Sequence, residues 1–380
     1  MNASASQSPA LVAPGERTVI ARLLPRTERV VHVGSVDSAW TLAARGALPR
    51  LVVDEIDAAL PIDRLRAERP LQHIQHLRIE SARELGRVLD GAAETLGYAR
   101  LDCIEFTTHA DGAGRDVARA LAAGYRLLIV EHDGLHGVPD GRTRQPATYL
   151  LVHERLLAPR PVDGAPIIDI GREAARHGVR LSGRGVLHVG AHEGQEAPHY
   201  QRLALDPILM IEANPVVFSR LVASLAAIPG ARAVERAVSD REGAATLHLA
   251  SFDQSSSLLP MAGHLDVYPG IRAAGEVSVR TSPLDSIVTE LGLRPAQFAV
   301  LHIDVQGAEL LVLRGAEAVL AAVDLVSVEV SFSELYRGGA QIEDIERWLA
   351  ARGFRRAALC SPYHPSWGDA LYVRAASRPP

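Results

Sequence analysis

Short apolar runs alternate with amphipathic stretches along the chain, and this alternation predicts strands that alternate with helices. In the first part the predicted strands are Val30–Gly34, Arg50–Glu55, Leu101–Phe106 and Tyr149–Glu154. In the later part they are Val186–Val189, Ile208–Glu212, Ala299–Asp304 and Leu325–Val330, followed by a hairpin of Arg355–Cys360 and Ala370–Arg374. The pattern predicts an α/β fold, with a doubly wound, Rossmann-like parallel sheet in the later part that ends in an antiparallel hairpin.

One helix start is marked clearly, with Asn214 as the N-cap and Pro215 at the first helical position. Apolar residues then recur at helical spacing along one stripe, which comprises Val217, Phe218, Leu221, Val222 and Leu225. We expect this stripe to pack on the sheet. Shorter helices are expected at 38–46 and at Asp169–Ala175.

With 380 residues, the chain is long enough for two domains. The Ala-, Ser- and Pro-rich start predicts a flexible tail at 1–17, and a Pro- and Gly-rich stretch predicts a linker with a short helix at 158–181. A smaller α/β domain is therefore expected at 18–157 and a larger one at 182–376.

Composition narrows the class of protein. A net charge of −5 provides no basic field for nucleic acid, and no apolar run approaches the roughly 18 residues of a membrane span. The first residues lack the order of a secretory signal. Two cysteines, Cys103 and Cys360, define neither a disulfide framework nor a zinc site and are expected to be buried thiols in a reducing compartment. We expect a cytoplasmic protein without nucleic-acid or membrane partners.

The two parts of the chain resemble each other. RVVHVGS at Arg29–Ser35 matches GVLHVGA at Gly185–Ala191, an offset of 190 − 34 = 156. Ile79–Phe106 lies without gaps on Ile303–Val330, an offset of 303 − 79 = 224. The difference, 224 − 156 = 68, implies that the first copy lacks about 68 residues after Glu55. This predicts an internal duplication with a shortened first copy; an unrelated α/β domain is the alternative.

Candidate chemistry lies at three strand ends of the later copy. Gly190 to Gly194 follows a strand and precedes a helix, the place where open α/β sheets bind ligands. Glu212 ends the next strand, where a carboxylate can accept both ribose hydroxyls. Asp304 ends the central strand. The glycine spacing departs from the G-x-G-x-x-G dinucleotide fingerprint, so a nicotinamide oxidoreductase is weakly supported.

HVGAHEGQE, IEANP, AVSDREG, QSSSL and LHIDVQGAELLVLRGAE, in that order, resemble the FkbM family of methyltransferases over Gly185–Arg374. The resemblance implies a class I methyltransferase fold, S-adenosylmethionine as donor and a hydroxyl acceptor on a sugar or natural-product-like molecule. It also implies that Asp304 reaches the reaction site and that the Ser239–Asp240 turn lies near adenine. The remaining implied cofactor residues are Gly190, Ala191, His192, Gly194, Glu212 and Ala213.

Two positions depart from the family pattern, because His302 stands where lysine is usual and Gln306 where glutamate is usual. The acceptor chemistry is thus less fixed than cofactor binding. Asp304, His302 and His192 are the candidates for a base that takes the acceptor proton, although His302 could equally be a core histidine. No metal is expected. Glu329 and the segment Gln254–Gly275, as a cover over the acceptor, are further candidates.

The first copy is expected to be inactive. HVGAHEG has become HVGSVDS, and Arg83 replaces Gly307. The expected partner is a small-molecule or glycan acceptor, and the chain is expected to form a homodimer or an internal pseudo-dimer of its two copies. A binding or scaffold protein that has lost catalysis in both halves is the main alternative from another functional class.

Overall fold

The chain divides into two compact units, Met1–Leu157 and Ala158–Pro380, in a computed structural model. The structure describes residues 29–34, 38–48, 52–56, 60–68, 73–108, 114–131, 135–138, 141–143, 147–158, 161 and 166–375. The tail predicted at 1–17 lies outside these residues. Each unit is built around its own sheet.

The second unit contains the larger sheet. Numbered along the whole chain, its strands are β8 (Gly185–Val189), β9 (Ile208–Glu212), β10 (Ala231–Glu235), β14 (Phe298–Ile303), β15 (Leu325–Ser331), β16 (Phe354–Cys360) and β17 (Trp367–Arg374). They lie in the order β10-β9-β8-β14-β15-β17-β16, with the first five parallel and β17 antiparallel to both neighbours. The central strands are buried on both faces, as their near-continuous apolar sequence predicts. The Rossmann-like sheet and the closing hairpin are thus confirmed.

Strand register explains where polar groups collect on this sheet. His188 pairs with Met210 and with His302, which pairs with Ser327, and Ser327 pairs with Leu371. Side chains two positions apart share a face. The next row on that face, at the carboxyl edge of the parallel strands, therefore consists of Glu212, Gly190, Asp304, Glu329 and Asp369. The opposite end of the same face is apolar and belongs to the core.

Short helices cover the sheet of the second unit. The helices are numbered along the whole chain, and the first five belong to the first unit. Those of the second unit are α6 (Ile170–Arg176), α7 (Ala197–Arg202), α8 (Pro215–Leu225), α9 (His264–Val267), α10 (Leu284–Glu290), α11 (Glu309–Arg314), α12 (Glu317–Ala322) and α13 (Ile342–Ala350). Asn214 caps α8 by accepting a hydrogen bond from Val216 N at 3.1 Å. Val217, Leu221 and Leu225 are buried as predicted, whereas Val222 is 48% exposed and lies outside the stripe.

The segment expected as a linker contributes to the second unit. Ile168 and Ile170 are buried in the same core cluster as strands β8 and β9, and α6 begins at Ile170 behind its N-cap Asp169. Packing of this helix explains why the unit begins near Ala158.

A small second sheet lies between β10 and α10 in sequence. It consists of β11 (Ala237–Val238), β12 (Gly243–Ala250) and β13 (Ala273–Ser282), in the order β11-β13-β12. The segment Gln254–Gly275 contains the short helix α9 and ends in the first residues of β13, and most of the rest is a loop as predicted.

The first unit contains a sheet of the same type. Its strands are β1 (Arg29–Val33), β2 (Val52–Ile56), β3 (Ile74–Ile79), β4 (Leu101–Thr108), β5 (Tyr125–Val130), β6 (Leu135–Gly137) and β7 (Ala147–His153), in the order β2-β1-β3-β4-β7-β5-β6. Its helices are α1 (Ala39–Ala47), α2 (Ile62–Glu68), α3 (Leu85–Asp90), α4 (Ala93–Gly97) and α5 (Gly114–Ala122).

The offsets of 156 and 224 residues between the two sequence copies also relate the observed strands and helices of the two units. β1 and β2 correspond to β8 and β9 at an offset of 156, while β3, α3, α4 and β4 begin 224 residues before β14, α11, α12 and β15. The described part of the first unit has no counterpart of β10, and its β3–β4 register differs by two residues from that of β14–β15. The common topology agrees with a duplication, which stays a prediction.

Among the residues that the structure describes, no helix combines the length and apolar character that a bilayer crossing demands. Neither Cys103 nor Cys360 takes part in a disulfide within the described part of the chain, and both are only partly buried rather than fully buried as expected.

Candidate functional site

A cavity of about 710 Å³ opens at the carboxyl edge of the sheet in the second unit. Its volume lies in the range of small-molecule sites. The structure brings together at its walls most of the residues singled out from the sequence: Gly190, Ala191, His192, Glu212, Ala213, His302 and Asp304. Gly194, Ser239 and Asp240 do not line it.

The turn after β8 is shaped by a close backbone approach. Gly190 has φ +81°, and a Cβ built on it would lie 1.6 Å from the carbonyl oxygen of Asp304. Only glycine fits there. His192 also adopts a left-handed conformation, with φ +46°. The turn thereby brings main-chain atoms to the cavity wall.

Glu212 holds this turn in place. Its Oε2 accepts a hydrogen bond from His192 N at 2.9 Å, and its Oε1 accepts one from Asn214 N at 2.7 Å. Burial raises the pKa of the carboxyl, and the backbone donors oppose that effect. A carboxylate oxygen has two acceptor positions, so each oxygen keeps one for a ligand hydroxyl. The geometry therefore fits a ribose.

Two other predicted cofactor positions play different parts. Gly194 faces α8, where an added Cβ would lie 2.8 Å from Leu221 Cδ1, so it permits helix packing. Ser239 N donates to Ser282 O at 3.0 Å, because β11 pairs with β13. The residues just before this turn, Arg236 to Val238, line the cavity, whereas Ser239 and Asp240 do not.

His192 is engaged on both ring nitrogens. Gln195 Nε2 donates to His192 Nδ1 at 2.9 Å, so the ring proton lies on Nε2, which donates to Asp253 Oδ1 at 2.9 Å. Arg220 pairs with the same aspartate. His192 therefore ties the turn to the start of the loop after β12 and has no free nitrogen to act as a base.

His302 lies in a buried stack below the cavity. Its ring is parallel to that of His188 at 4.2 Å, and the hydroxyl of Tyr200 lies 2.5 Å from His302 Nδ1 and 3.1 Å from His188 Nδ1. Burial lowers the pKa of His302 to about 4. A histidine with so low a pKa is a weak base near neutrality. A structural role in a buried polar cluster therefore explains the position of His302 better than a role in proton transfer.

Gln306 joins two acidic side chains. Its amide donates to Asp304 Oδ1 at 2.7 Å and to Glu329 Oε2 at 2.8 Å, while Tyr336 donates to its Oε1 at 2.8 Å. Burial, and then the neighbouring Asp304, raise the pKa of Glu329 well above its usual range. A glutamine at this position supplies the donor that both carboxyls need. Gln306 therefore fits this site, although glutamate is usual at this position in the family pattern.

Sequence reasoning missed Asp369 and Glu196. Both line the cavity, and burial raises the pKa of Asp369 to about 8 and that of Glu196 to about 7. Asp369 pairs across the strands with Glu329. The available signal was one acidic residue within the otherwise uncharged start of WGDALYV.

The mouth of the cavity is aromatic. Phe252 is 49% exposed and Tyr363 is 43% exposed, and Tyr363 stacks on Trp367 with ring centroids 5.9 Å apart. Trp367 Nε1 donates to the hydroxyl of Tyr268 at 2.7 Å. All four residues line the cavity. Such a mouth offers flat apolar faces to an incoming molecule.

Within the described part of the chain, no group of three or more His, Cys, Asp or Glu side chains is arranged to hold a metal ion. The expectation that no metal is required stays a prediction.

Residues 188–356 match the family model described as the methyltransferase FkbM domain. The 2-O-methyltransferase NoeI of Sinorhizobium fredii is 28% identical over 235 residues, which covers 59% of this chain and 85% of NoeI. A methyltransferase FkbM structure from Methylobacillus flagellatus covers 96% of this chain and 94% of its own, at 11% identity and a TM-score of 0.38. The structure of a magnesium protoporphyrin IX methyltransferase from Synechocystis aligns with 55% of this chain and 77% of its own chain, at 10% identity and a TM-score of 0.32.

Proposed function

Because residues 188–356 form a methyltransferase domain of the FkbM family, which uses S-adenosylmethionine as methyl donor, we propose that the second unit methylates a hydroxyl oxygen of a small-molecule or glycan acceptor. The acceptor we propose is a sugar or a natural-product-like molecule. The observation that carries this proposal is the single row of Glu212, Gly190, Asp304, Glu329 and Asp369 along one cavity wall.

The cofactor would be held at the β8–β9 end of this row. Glu212 would accept the ribose hydroxyls, and the turn of Gly190, Ala191 and His192 would contact the cofactor through main-chain atoms. Ala213, Ala237 and Val238 would supply apolar wall beside it. When bound there, S-adenosylmethionine supplies an electrophilic methyl group on a positively charged sulfur.

The acceptor would enter at the β15–β17 end of the row. The exposed faces of Phe252 and Tyr363 favour an acceptor with apolar ring faces, and sugars carry such faces beside their hydroxyls. The relative NoeI is named a 2-O-methyltransferase, which supports oxygen as the methylated atom. Holding both reactants in one cavity supplies much of the acceleration of a displacement reaction.

The first unit would not carry out methyl transfer. By the offset of 156 residues, Ile56 stands where the second unit has Glu212. Leu150 pairs with Glu105, whereas Asp369 pairs with its counterpart Glu329. Glu105 forms an ion pair with Arg78 at 3.2 Å, and its carboxyl lies 2.9 Å from His76 Nε2. The row has thus exchanged two carboxyls for apolar groups. We propose one cofactor site per chain.

The experiment combines calorimetry with a transfer assay. The full-length chain is titrated with S-adenosylmethionine, and radiolabelled cofactor is then offered with a panel of methyl glycosides of neutral hexoses and deoxyhexoses. Binding of one cofactor per chain and label on an acceptor oxygen are the expected results. Absence of cofactor binding would reject the proposal. Binding without transfer to any acceptor of the panel would favour the alternative of an inactive binding protein.

A further inference from the structure

Six carboxyl side chains line the cavity, and their hydrogen bonds divide them. Glu212 accepts from two backbone amides, and Asp253 pairs with His192 and Arg220. Asp304 and Glu329 share the amide of Gln306. Hydrogen bonds and ion pairs to protein groups thus occupy part of the acceptor capacity of each of these four carboxyls before a ligand binds.

The two others are Glu196 and Asp369. The carboxyl of Glu196 accepts a hydrogen bond from its own backbone amide. Among the described residues, Asp369 has no side-chain hydrogen bond, although its carboxyl is surrounded by protein and lines the cavity. It lies on β17, a strand paired on both sides, so its position is rigid. Asp369 is thus a fixed acid group whose hydrogen-bonding capacity is left for a ligand.

The position of Asp369 in the row matches the acceptor end. Neighbouring strands lie about 4.8 Å apart, so the four strand steps from β9 to β17 separate the Glu212 end from the Asp369 end by about 19 Å. Asp304 lies halfway. If the adenosyl group is held by Glu212 and the methyl group is presented near Asp304, the reacting hydroxyl lies on the Asp369 side. Glu196 precedes α7, and its carboxyl interacts electrostatically with those of both Asp304 and Asp369.

We propose that Asp369 is the general base that accepts the proton of the acceptor hydroxyl, a role that rests on the proposed methyl transfer. As the acceptor oxygen forms its bond to the methyl carbon, its proton moves to Asp369, and the electron pair of the broken sulfur–carbon bond stays on sulfur. The reaction thereby releases one proton, and Asp369 holds it until the product leaves. The carboxyl is then reset by loss of that proton to water.

Titration of Asp369 links this role to cofactor binding. Burial, then the charges of Asp304 and Glu196, keep its proton bound. A cation placed among these groups lowers the pKa of a carboxyl, so binding of the positively charged cofactor is expected to release a proton. The titratable groups around Asp369 are Glu329 on β15, Cys360 on β16, Asp304 after β14, Glu196 before α7 and Tyr200 on α7.

The test compares Asp369→Asn, Glu196→Gln and Asp90→Asn in the full chain. Asp90 lies in the first unit with a side chain that is 73% exposed, so it controls for the loss of one carboxylate. Asp369→Asn is expected to lower kcat on the best acceptor of the panel by about 100-fold or more, with little change in cofactor affinity. In the parent chain with saturating cofactor, kcat/KM for the acceptor rises with pH and levels below the pKa of about 8 that Asp369 has without cofactor; in Asp369→Asn this rise disappears.

A second measurement does not require turnover. Cofactor binding is measured near pH 7.5 by calorimetry in phosphate and Tris, whose ionisation enthalpies differ, and the difference gives the number of protons released. Release by the parent and Asp90→Asn but not by Asp369→Asn supports the assignment. Unchanged kcat or unchanged proton release in Asp369→Asn overturns the assignment. If kcat and proton release are lost only in Glu196→Gln, Glu196 is the base instead. Failure of the parent chain to bind the cofactor rejects the proposed function instead.

Discussion

Glu329 and Asp369 face each other across the antiparallel strands β15 and β17, two acidic side chains on directly paired residues. Like charges directly opposite each other destabilise a sheet. Burial, and then the charge of Asp304, raise the pKa of both carboxyls. The pair is retained at a cost to folding, which is common where function requires an unfavourable arrangement.

Asp369→Asn is expected to stabilise the folded chain at high pH. The pKa of Asp369 rises from 3.8 to about 8 on folding, so its contribution is most favourable below pH 3.8 and is lost as the pH rises through 8. Asparagine removes that loss. Chemical unfolding at pH 8.5 should show an increase of at least ~1 kcal/mol in the free energy of unfolding, and no increase near pH 4. An equal gain in Asp90→Asn would contradict the prediction.

Glu212→Ala is expected to weaken cofactor binding. Loss of a charged acceptor for two hydroxyls costs about 1.5–3 kcal/mol, or roughly 10- to 100-fold in Kd. Calorimetry checks this, and Glu235→Ala is the matched control. Glu235 pairs directly with Glu212 on the neighbouring strand but is exposed and does not line the cavity. Similar losses in both variants would count against a ribose role for Glu212.

Comparison of Gly190→Ala with Gly178→Ala separates the free-energy cost of a left-handed backbone from that of steric crowding by the added Cβ. Gly178 also has a positive φ, +67°, but a Cβ there meets nothing within 4 Å. Gly178→Ala should lower the free energy of unfolding by about 1 kcal/mol. Gly190→Ala should lower it by at least ~2 kcal/mol more, because its Cβ meets the Asp304 carbonyl. Denaturant titration measures both, and equal effects would refute the close approach.

His302 is expected to make stability depend on pH in the acid range. Its pKa falls from 6.5 to about 4 on folding, so its contribution is complete above pH 6.5 and is lost as the pH falls toward 4. The loss approaches ~3 kcal/mol at pH 4. His302→Phe should show a flatter dependence of unfolding free energy between pH 6.5 and 4 than the parent chain, and an unchanged slope would contradict the prediction.

The sequence predicts the parallel strands and their polar ends because two simple rules govern them. Strands buried on both faces are apolar, and their carboxyl ends meet at one edge, so Glu212 and Asp304 could be placed together. Asp369 could not, because β17 runs in the opposite direction and brings its start to that edge. The place of Ser239 stays a prediction, since it follows β11, whose pairing with the largely exposed β13 has a weak sequence pattern.

The Tyr200 hydroxyl has a single hydrogen, yet both histidine rings present Nδ1 to it. It can donate to only one of them, so the other ring must carry its own hydrogen on Nδ1 and donate to the phenol oxygen. His188 and His302 are thus locked into opposite tautomers, and a change in one forces a change in the other. The side chains at these three positions therefore form a packed polar stack and also couple the tautomers of its two imidazole rings.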